Sequence, residues 1–306
     1  MGQTMTFGRK TALVAMALVL VMFAGRIGDF SSGFDSEFLV YGQTAGGGTG
    51  DTGTAGGPIF TFTRVIPHVV VGVYDHEYKT VIQVTNTTSA AVTLTGNFYK
   101  QDGTASTVAY TTSSTTTPSF TGTLTSVSVA ANSVLVITGA STTPGTVNWA
   151  RFMATGAVSI AAFFEARTVA TTTSPGDRLV FRVGIGAVPE DATSFMVPRI
   201  RNAANLSDAG FAIVNTGATA ANITATLKSS TGTTIASRTM SLAARQHTSD
   251  FSDIFFKTSC TVCIATDPAG TNFQYVVFTG TAPQFAAVGL AFEANMYTSL
   301  PVDRLQ

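Results

Sequence analysis

Apolar and polar residues alternate along VTLTGNF, residues 92–98, and again in the same phase along ANITATLK, residues 221–228. In a β-strand this alternation places one set of side chains on each face of the sheet, so Val92, Leu94 and Phe98 are expected on a core face. Threonine hydroxyls fill the opposite face. Two such segments with the same pattern predict two copies of one strand-built unit.

Further blocks of the chain match each other in the same order, with a longer Thr/Ser-rich insertion at 111–118 in the first copy. The matching pairs are VTNT at 84–87 with IVNT at 213–216, SVAA at 128–131 with SLAA at 241–244, and FEA at 164–166 with FEA at 292–294. Turn signals recur about every ten residues, which is typical of a sandwich. We therefore predict an all-β fold with two tandem immunoglobulin-like β-sandwich domains, at 59–190 and 191–306.

The charge content excludes one class of function. Charged residues make up 11% of the chain, against about a quarter in an average soluble domain, and 17 basic residues balance 17 acidic ones. Such a chain lacks the basic surface of a nucleic-acid-binding protein. Its low electrostatic repulsion favours association with other copies.

The N-terminus indicates export. Arg9 and Lys10 precede an apolar run from Ala12 to Gly25, as in a secretory signal. A helix of about 14 residues spans roughly 21 Å, short of the ~30 Å core of a bilayer. We interpret residues 1–25 as a signal peptide or, alternatively, a retained apolar anchor, which would be the only membrane contact. The expected location is extracellular or at the cell surface.

Residues 26–58 are interpreted as an arm and a Gly-rich linker. Phe30, Phe34 and Phe38 lie four residues apart in a polar stretch, and Gly- and Thr-rich sequence follows them. The phenylalanines belong either to a short helix or partly ordered arm, or to an arm that docks into a neighbouring subunit. The next segment, PIFTFTRVI at 58–66, is either the first strand of its own sandwich or a strand donated to a neighbour.

The first unit also resembles a known group of proteins. TVIQVTNTT at 80–88, followed by VTLTGNFYKQDG at 92–103, is similar to segments of secreted bacterial proteins with tandem immunoglobulin-like β-sandwich repeats, usually of unassigned activity. The resemblance covers roughly residues 60–306. It implies the fold and secretion, and it transfers no catalytic residues.

Two pairs of residues are candidate sites. Cys260 and Cys263 are predicted to form a local disulfide in an oxidising compartment, with an inter-subunit bridge as the alternative. Glu165 and Glu293 occupy equivalent positions in the two copies. We predict that they are structural carboxylates, which accept backbone N–H or hydroxyl donors where a loop crosses the end of a strand.

The remaining titratable and aromatic residues are given ordinary roles. His68 is expected at a surface or an edge, and Asp75-His76-Glu77 in a solvated loop. His247 with Asp250 and Asp253 could indicate acid–base chemistry, but no recognisable nucleophile accompanies them. Trp149 matches Tyr275 in the second copy and is expected in the core.

These observations favour a structural subunit of an extracellular homopolymeric assembly, such as a filament, pilus-like fibre or surface layer. The expected partners are copies of the same chain, joined head-to-tail through the N-terminal arm. The alternative is a secreted adhesin or binding module for carbohydrate or another surface. We predict no enzymatic activity, no cofactor, no metal site and no nucleic-acid partner.

Overall fold

The structure, a computed structural model, describes residues 58–170, 176–200, 208–257, 273–293, 296–300 and 302–305. Strands in antiparallel sheets make up 65% of the structure and helix only 2%, which confirms the predicted all-β fold. The N-terminal segment at 1–25, the arm with Phe30, Phe34 and Phe38, and the pair Cys260 and Cys263 lie outside the described residues.

The first half of the chain contributes ten strands to the described structure. They are β1 (Phe62–Val73), β2 (Glu77–Asn86), β3 (Val92–Lys100), β4 (Ala109–Thr112), β5 (Ser119–Thr121), β6 (Thr123–Val129), β7 (Ser133–Gly139), β8 (Thr146–Ala154), β9 (Ser159–Arg167) and β10 (Leu179–Gly186). The last of these ends shortly before residue 190, where the sequence predicts the end of the first unit.

The second half contributes nine described strands and one short helix. They are β11 (Ser194–Ile200), β12 (Asp208–Asn215), β13 (Ala221–Ser229), β14 (Thr234–Leu242), β15 (His247–Phe251), α1 (Ser252–Lys257), β16 (Phe273–Gly280), β17 (Phe285–Glu293), β18 (Met296–Leu300) and β19 (Asp303–Arg304). The sequence shows no helical period at α1, because six residues are too few to establish one.

The two halves repeat one order of strand pairing. In the first half, sheet 1A has the order β6-β3-β8-β1, and sheet 1B has the order β5-β4-β7-β2-β9-β10. In the second half, sheet 2A has the order β14-β13-β16-β11-β19, and sheet 2B has the order β15-β12-β17-β18. The hairpin β4–β5 coincides with the insertion found only in the first copy of the sequence. The end of β1 also pairs with β2 at Gly72 and Val73, which joins sheets 1A and 1B.

The pairing order differs from that of an immunoglobulin constant domain, although the two-layer arrangement is similar. In that domain the first strand pairs with the second, and the seventh pairs with the sixth. We number the strands that occur in both units, which leaves out the inserted β4 and β5. By this count the first strands, β1 and β11, pair with the sixth strands, β8 and β16. The seventh strands, β9 and β17, pair instead with the second strands, β2 and β12.

Each half has its own hydrophobic core between its sheets. The first core includes Leu94, Phe98 and Phe152, and the second includes Ile223 and Phe278, all completely buried. Strand β1 pairs along most of its length with β8 of the same half. Residues 62–66 are therefore the first strand of their own sandwich rather than a strand donated to a neighbour.

The repeated Asn of the VTNT and IVNT blocks explains part of the internal match. Asn86 and Asn215 are fully buried at the ends of β2 and β12. The side-chain amide of Asn86 donates to the carbonyl oxygens of Ala90, Val129 and Ala130 at 2.8–3.0 Å. Asn215 makes the same three-carbonyl contact with Thr219, Leu242 and Ala243. Each Asn therefore ties the turn after its strand to the connection between two later strands.

Candidate functional site at the junction of the two halves

The outer face of sheet 2B packs against the first half of the chain. Val214 of β12 and Ala286 of β17 form a buried cluster with Val65 of β1 and Trp149 of β8. Ala212 and Val288, on the same face of sheet 2B, contact the first core itself. The junction between the halves is therefore an apolar interface.

Trp149 lies in this junction rather than in a sandwich core. Its neighbours Asn148 and Ala150 on β8 are also buried, but the indole projects from the outer face of sheet 1A, where the second half covers it. The indole Nε1–H donates to the backbone oxygen of Arg245 at 2.9 Å. The ring centroids of Trp149 and Tyr99 are 4.5 Å apart. The central guanidinium carbon of Arg245 lies 5.4 Å from the centroid of the Tyr99 ring. Because Trp149 is the only Trp of the chain, its fluorescence emission reports on the burial of this junction.

Two histidines from opposite halves meet beside this cluster. His68 Nδ1 lies 3.3 Å from His247 Nε2, and the ring centroids are 5.4 Å apart with the planes inclined by 27°. The centroid separation exceeds the nitrogen separation by about the sum of the two ring radii, so the nitrogens point at each other. The backbone N–H of His247 also donates across the junction, to the carbonyl oxygen of Gln101 at 2.9 Å.

The surroundings of the pair favour neutral imidazoles. Burial lowers the pKa of His68 from 6.5 to about 4. Burial, and then the proximity of His68, lower the pKa of His247 well below its usual value. His247 is 3% exposed, and its Nδ1 has no hydrogen-bond partner among the described residues.

The sequence prediction for these two histidines needs correction. His68 is not an isolated edge residue, because it pairs with His247. Adjacent side chains of a strand alternate between faces, so Asp250 lies on the opposite face of β15 from His247. The acid–base grouping of His247 with Asp250 is therefore absent from the described structure, and the side chain of Asp253 lies outside it.

The carboxylate of Glu165 has different hydrogen-bond donors from those predicted. It is almost buried on β9, and its oxygens accept from the guanidinium groups of Arg182 on β10 and Arg167 at 2.9 Å. Burial raises the pKa of Glu165, but hydrogen bonds from the two arginines and their charges outweigh burial, and the net pKa is lowered. Arg167 also binds the carboxylate of Asp177. Guanidinium groups thus replace the expected backbone N–H or hydroxyl donors.

The equivalent residue of the second half, Glu293, ends β17 opposite Met296. Its side chain lies outside the described part of the structure, so its predicted role stays a prediction. The loop histidine His76 is hydrogen-bonded to Asp75 at 2.9 Å, and Asp75 also accepts the hydroxyl of Tyr78. Among the described residues no three His, Cys, Asp or Glu side chains are grouped to hold a metal ion.

The outer face of sheet 1B carries a second feature, an apolar strip on neighbouring strands. Val134 and Val136 project from β7, and Val81 of β2 lies diagonally beside Val136 and directly opposite Phe163 of β9. Val134 is 50% exposed, and the other three are partly exposed. We call these four residues the 1B strip. The charged residues Lys79, Glu165 and Arg182 form one cross-strand row at its end.

Comparisons with known proteins add no family assignment: no family model matches the sequence, and no curated protein matches it. Within the described ranges, no helix is long and apolar enough to cross a membrane.

Proposed function

We propose that this protein is a structural subunit of an extracellular homopolymeric assembly, such as a filament, a pilus-like fibre or a surface layer. The observation that carries the proposal is the 1B strip, in which Val134 is half exposed and Val136, Val81 and Phe163 are partly exposed on one sheet face. Apolar side chains grouped on one exposed face of a soluble protein commonly mark an interaction surface. The proposed partner is another copy of the chain.

The electrostatics of the chain support self-association. Its basic and acidic residues cancel, so identical copies approach each other without net repulsion. The row of Lys79, Glu165 and Arg182 beside the 1B strip contains both signs of charge, and such a row is compatible with a second copy of the same surface.

The arm at 26–57 is the proposed connector for head-to-tail growth. Strand β1 pairs with β8 of its own half, so the segment before β1 is the proposed contact with a neighbouring subunit. Phe30, Phe34 and Phe38 would supply the apolar anchors of that contact. Export through the secretory pathway, with residues 1–25 as its signal or anchor, belongs to the same proposal.

A secreted binding module is the second candidate. A groove of about 250 Å³ opens between β2, β4 and β7 and is lined by residues that include Glu77, Lys79 and Thr111. Polar groups in its mixed lining could bind a hydroxylated ligand such as a carbohydrate. Typical ligand pockets enclose ~300–1,000 Å³, so the groove supports this function less well than the 1B strip supports assembly.

Two alterations test the proposal by sedimentation and negative-stain microscopy. Deletion of residues 26–57, with the export signal kept, is expected to leave folded monomers. Val134→Lys with Val136→Lys should weaken assembly, while the matched control Thr224→Lys with Thr226→Lys, on a central strand of sheet 2A, should not. Normal assembly of both altered proteins would contradict the proposed contacts.

A further inference from the structure

We propose that the His68–His247 pair makes the junction between the two halves acid-labile: protonation of the pair weakens the contact that buries Trp149. The two rings come from strands of different halves, and their facing nitrogens are 3.3 Å apart. The inference is independent of the proposed assembly.

The geometry leaves room for one proton between the rings. An N–H of one imidazole points at the lone pair of the other, so one ring donates and the other accepts. A second proton on the facing nitrogens would place two N–H groups against each other. A proton on His247 Nδ1 would create a buried cation without a hydrogen-bond acceptor among the described residues. A proton on His68 Nε2 would charge the partly buried ring and leave the shared N–H in place. The closed pair can therefore carry a charge on one ring but not on both, whereas two separated histidines both titrate near 6.5.

The charged groups on the neighbouring elements do not offset such a cation. The nearest ring of β9 is Phe164, 6.1 Å from His68, and Glu165 projects from the other face of that strand. Backbone position places Asp208 and Glu293 at the far ends of β12 and β17. Glu77 and Lys79 of β2 lie on the same outer face as Glu165. Arg64 lies over Phe62 and near Asp191, Arg151 pairs with Glu190, and Arg245 lies over Tyr99. Arg182 pairs with Glu165, and Asp250 lies on the opposite face of β15.

The direction of the pH effect follows from the preference of the closed junction for neutral rings. An opened junction restores the ordinary histidine pKa of about 6.5, so the open state binds more protons than the closed state. The junction is therefore most stable above pH 6.5 and weakens as the pH falls from 6.5 towards 4. At pH 5 the opening equilibrium rises about 30-fold for each imidazole whose closed-state pKa is near 4.

The single Trp and the three histidines make the test specific. Urea titrations followed by Trp149 emission are compared at pH 7.5 and pH 5, a range in which ordinary carboxylates stay ionised. The wild-type midpoint should fall at pH 5. His68→Gln with His247→Gln keeps hydrogen-bonding side chains but no titratable pair, and it should lose most of this fall. His76→Gln, the matched control, should behave as the wild type.

An equal fall of the urea midpoint between pH 7.5 and pH 5 in the double variant and the wild type would overturn the proposal. If the double variant does not fold, NMR of the three wild-type histidine rings decides the question. The proposal requires at least one of the rings of His68 and His247 to remain neutral at pH 5.5 while Trp149 is buried. Protonated rings at both positions in that state would overturn it.

Discussion

Replacement of Asn86 or Asn215 by Ala removes the residue that ties two connections together in each half. Asn86 donates to three carbonyl oxygens, and its Oδ1 accepts the backbone N–H of Thr88 at 3.0 Å. An unsatisfied buried polar group costs about 1–3 kcal/mol. The turn can expose some of the released groups to water, so we expect a loss of about 3 kcal/mol in the free energy of unfolding for each variant.

Urea denaturation followed by circular dichroism measures this loss. The matched control is Asn222→Ala, since that side chain is exposed and should change the free energy of unfolding by less than about 0.5 kcal/mol. Asn86 and Asn215 lie in different halves and share no partner, so their costs should add in the double variant. A loss below 1 kcal/mol for both single variants would refute the role assigned to this Asn.

Two further predictions concern single positions. Glu165→Gln should cost about 1–2 kcal/mol at pH 7, because Arg182 and Arg167 lose their shared carboxylate partner. The pKa of Glu165 is lowered, so this contribution to stability is present above pH 4.5 and is lost as the pH falls further. The melting temperatures of wild type and variant should therefore converge in acid. A difference that does not change with pH would contradict the assignment. Gly72→Ala should cost more than about 2 kcal/mol, because Gly72 has φ of +94° and an added Cβ would meet the carbonyl oxygen of Thr142. The control Gly186→Ala meets no atom within 4 Å, and equal stability of the two variants would show that the contact at Gly72 is not tight.

The period-two patterns and the internal repeat predicted the strands and their equivalence in the two halves, because these features depend on local sequence. The alternation along 92–98 and 221–228 corresponds to β3 and β13, and the described parts of the matched blocks overlap strands at equivalent places in the two pairing orders. These features are readable because alternation and turn chemistry act over a few residues. The pairing of first strands with sixth strands could not be predicted, since strand order depends on contacts between residues that are far apart in the sequence.

The candidate site escaped prediction for the same reason. His68 and His247 are separated by most of the two units, and nothing near either residue in sequence indicates the other. The burial of Trp149 was expected, but its place at the junction was not, because alternation gives the face of a strand and not what covers that face. For Glu165, the sequence indicated a structural carboxylate, while its donors lie two residues further along β9 and on β10.

Sedimentation velocity of the full-length protein over a range of concentrations, with negative-stain microscopy of the same samples, tests self-assembly most directly. The account predicts large species that grow with concentration and appear as extended fibres or sheets with a regular repeat. A single species with the mass of one chain, unchanged at the highest concentration and without ordered structures on the grid, would contradict it.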